Sequence, residues 1–199
     1  MKHTVDGSER VVASQVSSQF GTTGISKSVM PEARRNAAKR NFILQLGFEE
    51  PAPGVLALQY SALVFQPKVV LIVVATGILF QSPAIFAALG ALLWWSALFP
   101  KMNPFNALYN RTIGSRPGTF RLGPAPAPRR GAETEAGAMA MTIALLIHAG
   151  FGPAAYIVEA ILLAAALAVL IGSFCFGSFT YHLFRGRRKF ALETLPWTR

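Results

Sequence analysis

The chain has 199 residues, of which 52% are hydrophobic and only 14% are charged. Soluble domains carry roughly 25% charged residues, so this composition excludes an ordinary soluble domain and predicts a membrane protein. The net charge of +10 is compatible with binding to anionic lipid or to nucleic acid. A single cysteine excludes an internal disulfide and a metal site built from several thiolates.

The N-terminal region divides into an arm and a helix. Residues 1–30 are polar and rich in serine and threonine, and they lack the apolar core of a signal peptide. We interpret them as a flexible arm and expect the first apolar segment to be an uncleaved anchor. Residues 31–54 follow as a helix and linker, because Pro31-Glu32 is typical of a helix start. The basic first part and the apolar residues 42–46 favour a helix lying on the membrane surface.

Four apolar segments predict an all-α fold, a membrane four-helix bundle made of two transmembrane hairpins. The segments are residues 69–80, 83–99, 137–150 and 154–176. We assign hairpin 1 to residues 55–100, a cytoplasmic Pro/Gly-rich loop to 101–136, hairpin 2 to 137–184 and a basic tail to 185–199. A spanning helix needs about 20 apolar residues, so the first and third segments must extend beyond their apolar parts.

The start of the first spanning helix has two interpretations. An extension back to Leu56 places Pro67 and Lys68 inside the helix, where proline removes a hydrogen bond and produces a kink. We prefer a helix that begins near Pro67, because proline suits the first turn, with residues 56–65 at the interface. In the central loop, residues 116–131 contain many prolines and glycines and are predicted to be irregular.

The positive charges predict the topology. No Lys or Arg lies in the two hairpin turns, so four spans place all nineteen on one face of the membrane. The positive-inside rule then predicts that both termini and the central loop are cytoplasmic. Nucleic-acid binding is not predicted, because no basic and aromatic binding module is present. Cations expected to contact lipid or a partner subunit are Arg34, Arg35, Lys39, Arg40, Arg185, Arg187, Arg188 and Lys189.

One acidic residue interrupts the apolar segments. Glu159 lies in the fourth segment, and an ionisable residue inside a membrane is a functional hypothesis by default. His148 lies in the same half of the neighbouring segment, and Tyr156 is one helical turn from Glu159. A His148–Glu159 pair would relay a proton or hold a cation. The alternative is a structural pair, since polar side chains also hold membrane helices together.

The fourth segment also carries small residues at every fourth position. Ala160, Ala164, Ala168 and Gly172 predict a helix-packing stripe for the neighbouring hairpin or for another subunit. Cys175 is expected to continue this stripe as a candidate thiol, although a lone buried cysteine is commonly inert. No metal, cofactor or catalytic residue is predicted, because no phosphate-binding loop or nucleophilic triad occurs.

Three motifs resemble those of a bacterial family of small four-helix integral membrane proteins of unknown function. They are Arg40-Asn41-Phe42 with Gln45 and Gly47-Phe48, then Asn103-Pro104-Phe105, and then Phe174-Cys175-Phe176-Gly177. The family's last motif reads F-C-x-G-C, and this chain has Ser178 in place of the second cysteine. A C-x-x-S sequence does not cycle between dithiol and disulfide by itself, although a mixed disulfide with a partner remains open. The resemblance implies a location in the bacterial inner membrane.

The leading functional hypothesis is a non-catalytic accessory or scaffold subunit of a larger bacterial membrane complex, for example a respiratory or photosynthetic one. The expected partners are membrane lipids and other membrane subunits. One alternative is a small transporter or proton relay that uses His148 and Glu159. The other is a membrane thiol protein that uses Cys175.

Overall fold

The computed structural model describes residues 26–52 and 54–198, which belong to two units that meet between Arg35 and Asn36. All regular structure in these residues is helical. The helices are α1 Ser26–Gln45, α2 Leu56–Leu63, α3 Phe65–Phe80, α4 Pro83–Leu98, α5 Pro104–Thr112, α6 Ala127–His148, α7 Gly152–Gly172, α8 Phe176–Phe184 and α9 Arg188–Glu193. Residues 1–25 of the predicted arm lie outside the described residues. Its last five residues, 26–30, belong to helix α1.

Two stretches of helix are long and apolar enough to cross a membrane. They are Leu56–Phe80, which combines α2 and α3 over 25 residues, and α7, which has 21 residues. The apolar helix α4 is shorter, with 16 residues. Helix α6 has 22 residues, but Arg129, Arg130, Glu133 and Glu135 lie in its first three turns. Length and composition therefore support two spans directly.

The first spanning stretch has features of both predicted starts, the one at Leu56 and the one near Pro67. Helix α3 begins at Phe65, two residues before Pro67, and α2 precedes it after a break at Val64. Pro67 lies in the first turn of α3, where the missing N–H costs no intrahelical hydrogen bond. The amide of Lys68 then donates to the Val64 carbonyl at 3.2 Å, which starts the regular pattern of α3.

Helices α4 and α6 pack along each other, and α3 packs against α7. Glycines allow the first pair to approach closely. A Cβ added at Gly137 would lie 2.6 Å from Cδ1 of Trp94, and one at Gly90 would lie 2.7 Å from Cγ of Met141. Small residues at such a crossing let two helix backbones come together. The main apolar core fills the space between these four helices, with Val74, Phe86 and Ile143 fully buried.

Helices α3, α4, α6 and α7 form a bundle with two ends, which differ in how the helices are connected. We call the end with the tight turns at residues 81–82 and 149–151 the turn end. We call the other end, where α3 and α6 begin and α4 and α7 stop, the loop end. The part of α1 after Arg35 packs near the loop end together with α5 and α8, in a second apolar cluster and against the first turns of α6.

The prediction that residues 42–46 lie on a membrane surface is wrong. Phe42, Ile43 and Leu46 are 1%, 0% and 5% exposed, and they pack against protein residues that include Leu63 and Val169. The reason is tertiary, because α2, α5 and the end of α7 together cover the apolar side chains of α1.

The prediction of an irregular segment over residues 116–131 is wrong for its last five residues. Helix α6 begins at Ala127, with Pro126 as its N-cap and Pro128 in its first turn. Proline is well suited to this position, because the first N–H groups of a helix have no partner inside the helix. The basic pair Arg129-Arg130 therefore belongs to a helix and not to a loop.

The fourth apolar segment is also shorter than predicted. Helix α7 ends at Gly172, and Ser173 follows in a left-handed conformation with φ of 51°. The amides of Ser173 and Phe174 donate to the carbonyls of Val169 and Ala168, which closes the helix end. Cys175 therefore does not continue the small-residue stripe. It is the N-cap of the separate helix α8.

Candidate functional site

A buried ion pair lies at the loop end. Arg129 and Glu133 stand one turn apart on α6, before the apolar part of the helix that starts at Gly137, and each is only 5% exposed. Arg129 Nε lies 3.5 Å from Glu133 Oε1. Arg129 lies in the segment predicted to be a cytoplasmic loop, and the pair was not predicted. The available signal was the spacing of four residues between opposite charges, which places them on one helix face.

Polar side chains from three other parts of the chain surround this pair. Arg129 Nη2 donates to Gln66 Oε1 of α3 at 2.6 Å and to Asn106 Oδ1 of α5 at 3.0 Å. Asn103 Nδ2 donates to Glu133 Oε1 at 3.3 Å, while its own Oδ1 caps α5. Hydrogen bonds of this kind reduce the cost of removing the two charges from water.

Two polar atoms of the pair remain without partners. Within residues 26–52 and 54–198, neither Nη1 of Arg129 nor Oε2 of Glu133 has a hydrogen-bond partner, although both atoms are buried. Most buried polar atoms in proteins are hydrogen-bonded, and an unsatisfied one costs about 1–3 kcal/mol. Gln45 Nε2 and His182 Nδ1 are likewise buried without a partner within the described part of the chain.

The pair lines a cavity of about 140 Å³ between α3, α6, α7 and the start of α8. Most of its wall is apolar, with side chains such as Leu63, Val70 and Leu162. Phe176 belongs to the wall and is 51% exposed, so the cavity reaches the protein surface beside α8. The cavity is therefore apolar with one polar wall.

Cys175 lines the same cavity from the N-terminus of α8. Its amide donates to Gln45 Oε1 at 2.9 Å, which ties α1 to the break after α7. Burial raises the pKa of the Cys175 thiol, and contact with Ser178 opposes this rise. A raised pKa keeps the sulfur in its protonated and less nucleophilic form at neutral pH. Ser178 is fully buried, and its Oγ donates to the Pro128 carbonyl at 3.3 Å.

A second pair of buried polar residues lies behind Cys175. His182 of α8 and Gln45 of α1 are 2% and 0% exposed, and His182 Nε2 lies 3.0 Å from the Gln45 carbonyl oxygen. Burial lowers the pKa of His182, and the charge of Arg187 adds to this effect, whereas the Gln45 carbonyl opposes it. Neutral imidazole is therefore the form that fits this site.

The three motifs that carry the family resemblance converge at the loop end. Asn41 Nδ2 donates to the carbonyl oxygens of Leu195 and Thr198 near the C-terminus. Gln45 binds the Cys175 amide, and Asn103 binds Glu133. These residues are separated by up to 157 positions in the chain, so only the fold brings them together.

At the turn end, the polar residues have a different arrangement from the predicted one. Glu159 is 1% exposed and accepts two hydrogen bonds from Gln81 Nε2, at 3.2 Å to each carboxylate oxygen. His148 is exposed, and Tyr156 is 55% exposed. Among the described residues, no hydrogen bond joins either of them to Glu159. Glu159 therefore links α7 to the turn of the first hairpin, and the sequence analysis missed Gln81.

The small-residue stripe faces outward. Ala160, Ala164 and Gly172 are exposed and Ala168 is half-buried. The buried face of α7 instead carries Ala155, Glu159, Leu162, Ala166 and Val169. The stripe does not pack against the neighbouring hairpin, because the larger side chains on the opposite face fill the space between helices. It remains open to lipid or to another subunit.

The predicted contact cations have two kinds of environment. Arg34, Arg35, Arg185, Arg187, Arg188 and Lys189 are exposed. Arg40 and Lys39 instead interact with protein groups. Arg40 Nε lies 2.6 Å from Glu50 Oε1, and Lys39 Nζ lies 5.5 Å from the ring centre of Tyr60.

A family model described as a domain of unknown function, DUF4395, matches residues 61–186. The chain belongs to the DUF4395 family. The matched region includes Arg129, Glu133 and Cys175, whereas α1 with Gln45 precedes it. The prediction of a family of unknown function is confirmed, and the F-C-x-G-C motif and the bacterial origin stay predictions. Neither the curated proteins nor the solved structures contain a match to the chain.

Proposed function

We propose that this DUF4395 protein is an integral membrane protein that binds a small molecule in the loop-end cavity and performs no chemistry on it. In this proposal the chain spans the bacterial inner membrane four times, through α2 with α3, α4, α6 and α7. Both termini and the loop end are cytoplasmic. The absence of Lys and Arg from both tight turns supports this topology.

The observation that carries the proposal is the cavity of about 140 Å³, whose wall is mostly apolar and includes the buried Arg129–Glu133 pair. Ligand sites are commonly apolar cavities with a few converging polar groups, which describes this cavity.

Two adjacent alanines on α7 provide the test. Ala165 lines the cavity, whereas Ala164 is exposed on the stripe. We expect native mass spectrometry of the purified wild-type protein to detect a tightly bound small molecule. The Ala165→Phe variant, which fills the cavity, is expected to lose this mass, and the Ala164→Phe variant is expected to keep it. A bound molecule that both variants retain equally, or none in the wild type, would contradict the proposal.

The second candidate is the accessory or scaffold role in a larger membrane complex. The outward stripe of Ala160, Ala164, Ala168 and Gly172 favours it, because small residues on a lipid-facing surface allow another helix to approach closely. The same two variants separate the candidates. Extraction of wild-type protein in mild detergent is expected to recover a complex that Ala164→Phe disrupts and Ala165→Phe preserves. Recovery of wild-type protein only as a monomer would exclude this role.

A further inference from the structure

We infer that helix α8 and the basic segment after it form a membrane-surface anchor that binds anionic phospholipid. In this arrangement the outer side of α8 lies against the acyl chains of the cytoplasmic leaflet, and the cations within residues 185–189 contact the lipid phosphates. The inference rests on the membrane location in the proposed function, and it is independent of what the cavity binds.

Helix α8 has polar side chains on its inner side and apolar side chains on its outer side. Ser178 and His182, four residues apart on one face, are 0% and 2% exposed. On the opposite side, Phe176 and Phe184 are 51% and 91% exposed, and Leu183 beside them is half-buried. A surface helix of a soluble protein has the reverse arrangement, with its apolar side inward. This pattern therefore suits a helix whose outer side contacts lipid.

The contacts of α8 place it beside the membrane boundary of the bundle. Only residues 173–175 separate it from the spanning helix α7. Its polar contacts are with the part of α6 that precedes the apolar half of that helix. Ser178 Oγ donates to the Pro128 carbonyl at 3.3 Å. Thr180 Oγ1 donates to Glu135 Oε2 at 2.8 Å, so this carboxylate already has a partner. Helix α8 thus lies where the polar and apolar parts of α6 meet, which is the level of an interfacial helix.

A cluster of exposed cations follows α8 directly. It consists of Arg185, Arg187, Arg188 and Lys189. Lys189 Nζ lies 4.0 Å from Glu193 Oε1, and among the described residues the three arginines form no ion pair. One glutamate does not neutralise four cations, so the segment keeps a net positive charge that complements lipid phosphate.

Anionic phospholipid matches both properties of this surface. In a chain that spans the membrane, the bilayer is already adjacent to α8, and long cationic side chains beside an apolar surface reach the phosphate level. Each cation near an anionic membrane surface increases the affinity about five-fold. An acidic soluble protein is the competing occupant, and it would require the outer side of α8 to face water in the purified protein.

Lipid competition on the full-length protein tests the role of the charges. The protein in detergent is mixed with equal amounts of phosphatidylglycerol and phosphatidylcholine, and native mass spectrometry counts the lipids that stay bound. We expect the wild type to retain mostly phosphatidylglycerol. A triple variant is expected to lose at least about ten-fold of this preference. It carries Arg185→Gln, Arg187→Gln and Arg188→Gln. The control has the same charge change at exposed arginines of α5 and the central loop, and it is expected to keep most of the preference. It carries Arg111→Gln, Arg116→Gln and Arg121→Gln.

A spin label tests whether the outer side of α8 contacts acyl chains. The protein carries Cys175→Ser and lies in bilayers that contain phosphatidylglycerol. A label attached at Phe184→Cys is expected to be more accessible to oxygen, which concentrates among acyl chains, than to a water-soluble nickel complex. A label at Arg116→Cys, in the exposed central loop, is expected to show the opposite order. Greater access of the nickel complex at Phe184→Cys would overturn the inference, because the surface would then face water.

Two results of the lipid competition would also overturn the inference. They are the absence of a phosphatidylglycerol preference in the wild type and an equal loss of preference in the two triple variants. Ala165→Phe separates the anchor from the cavity, because Ala165 lies in the cavity wall and not on α8. It is expected to keep the lipid preference, and a loss there would assign the lipid to the cavity and overturn the surface site. The copurified small molecule tests the proposed function independently.

Discussion

The turn end and the loop end each bury acidic side chains, but they stabilise them differently. At the turn end, both oxygens of Glu159 accept hydrogen bonds from Gln81, and the contact joins two adjacent elements. At the loop end, Arg129 and Glu133 collect partners from α3, α5 and the turn before α5, and each still has one free atom. Each carboxylate oxygen of Glu159 therefore has a partner, whereas one nitrogen of Arg129 and one oxygen of Glu133 have none within the described residues.

This difference separates a structural polar contact from a candidate binding site. A lone carboxylate in a membrane segment is the expected place for function, yet here the protein itself satisfies it. The sequence gives less indication that the loop-end pair is buried, because charges near a loop are ordinarily solvated. Incomplete satisfaction of a buried group is therefore the more informative property in this molecule.

The largest expected effect comes from breaking the loop-end pair. Arg129→Met leaves the Glu133 carboxylate buried without its cation, and we expect the free energy of unfolding to fall by about 3–5 kcal/mol. Thermal or denaturant unfolding in detergent measures this change. Arg121→Met is the control, because Arg121 is exposed, and it should change stability by less than about 0.5 kcal/mol.

A double variant sharpens this result. Arg129→Met combined with Glu133→Leu removes both charges, so much of the lost stability is expected to return. A cost for Arg129→Met no larger than that of the Arg121 control would mean that the pair is hydrated and not buried.

A smaller effect is expected at the turn end. Glu159→Gln keeps one carbonyl oxygen that accepts from Gln81 and loses the charge of the acceptor, so we expect a cost of about 1 kcal/mol. The same unfolding measurement gives the comparison, with Tyr156→Phe as the exposed control. A cost for Glu159→Gln as large as that of Arg129→Met would remove the distinction between the two ends.

The smallest effect concerns the histidines of the two ends. Because burial lowers the pKa of His182, the unfolded chain binds a proton that the folded chain does not between the unfolded and folded pKa values. Stability is therefore complete above about pH 6.5, the ordinary histidine value, and falls as the pH decreases below it.

Substitution by glutamine tests this assignment. His182→Gln keeps a donor for the Gln45 carbonyl and removes the titration, so it should flatten the loss of stability on acidification from pH 7 to pH 5. His148→Gln, at the exposed histidine of the turn end, should leave the slope as in the wild-type protein. A slope that His182→Gln does not alter would show that other groups dominate the acid response.

Local patterns predicted several elements correctly. The apolar runs predicted an all-helical chain with membrane-length helices. One tight turn lies at Gln81-Ser82 as predicted, and the other lies directly before Gly152-Pro153, which begin α7. Proline at position 67 indicated the start of α3 to within two residues. These features depend on neighbouring residues alone, because turn conformation and helix propensity are local properties.

Other predictions failed because a local pattern does not identify the surface that a residue contacts. The apolar residues 42–46 are suited to contact either lipid or protein, and in the folded chain they contact protein. The alanine stripe was suited to close packing, yet bulkier side chains on the opposite face of α7 form the core. Cys175 was predicted to continue the stripe of α7, but the amides of Ser173 and Phe174 donate to the carbonyls of residues 169 and 168 and end that helix first.

The sequence by itself determined that the chain is apolar and helical, where its tight turns fall and that these turns carry no Lys or Arg. Only the tertiary structure decided that Gln66, Asn103 and Asn106 surround the Arg129–Glu133 pair, and that Cys175 shares its cavity. The reason is physical. Helices and turns form from contacts a few residues apart, whereas the hydrogen bonds of this buried ion pair come from groups that are dozens of positions away and meet only in the folded chain.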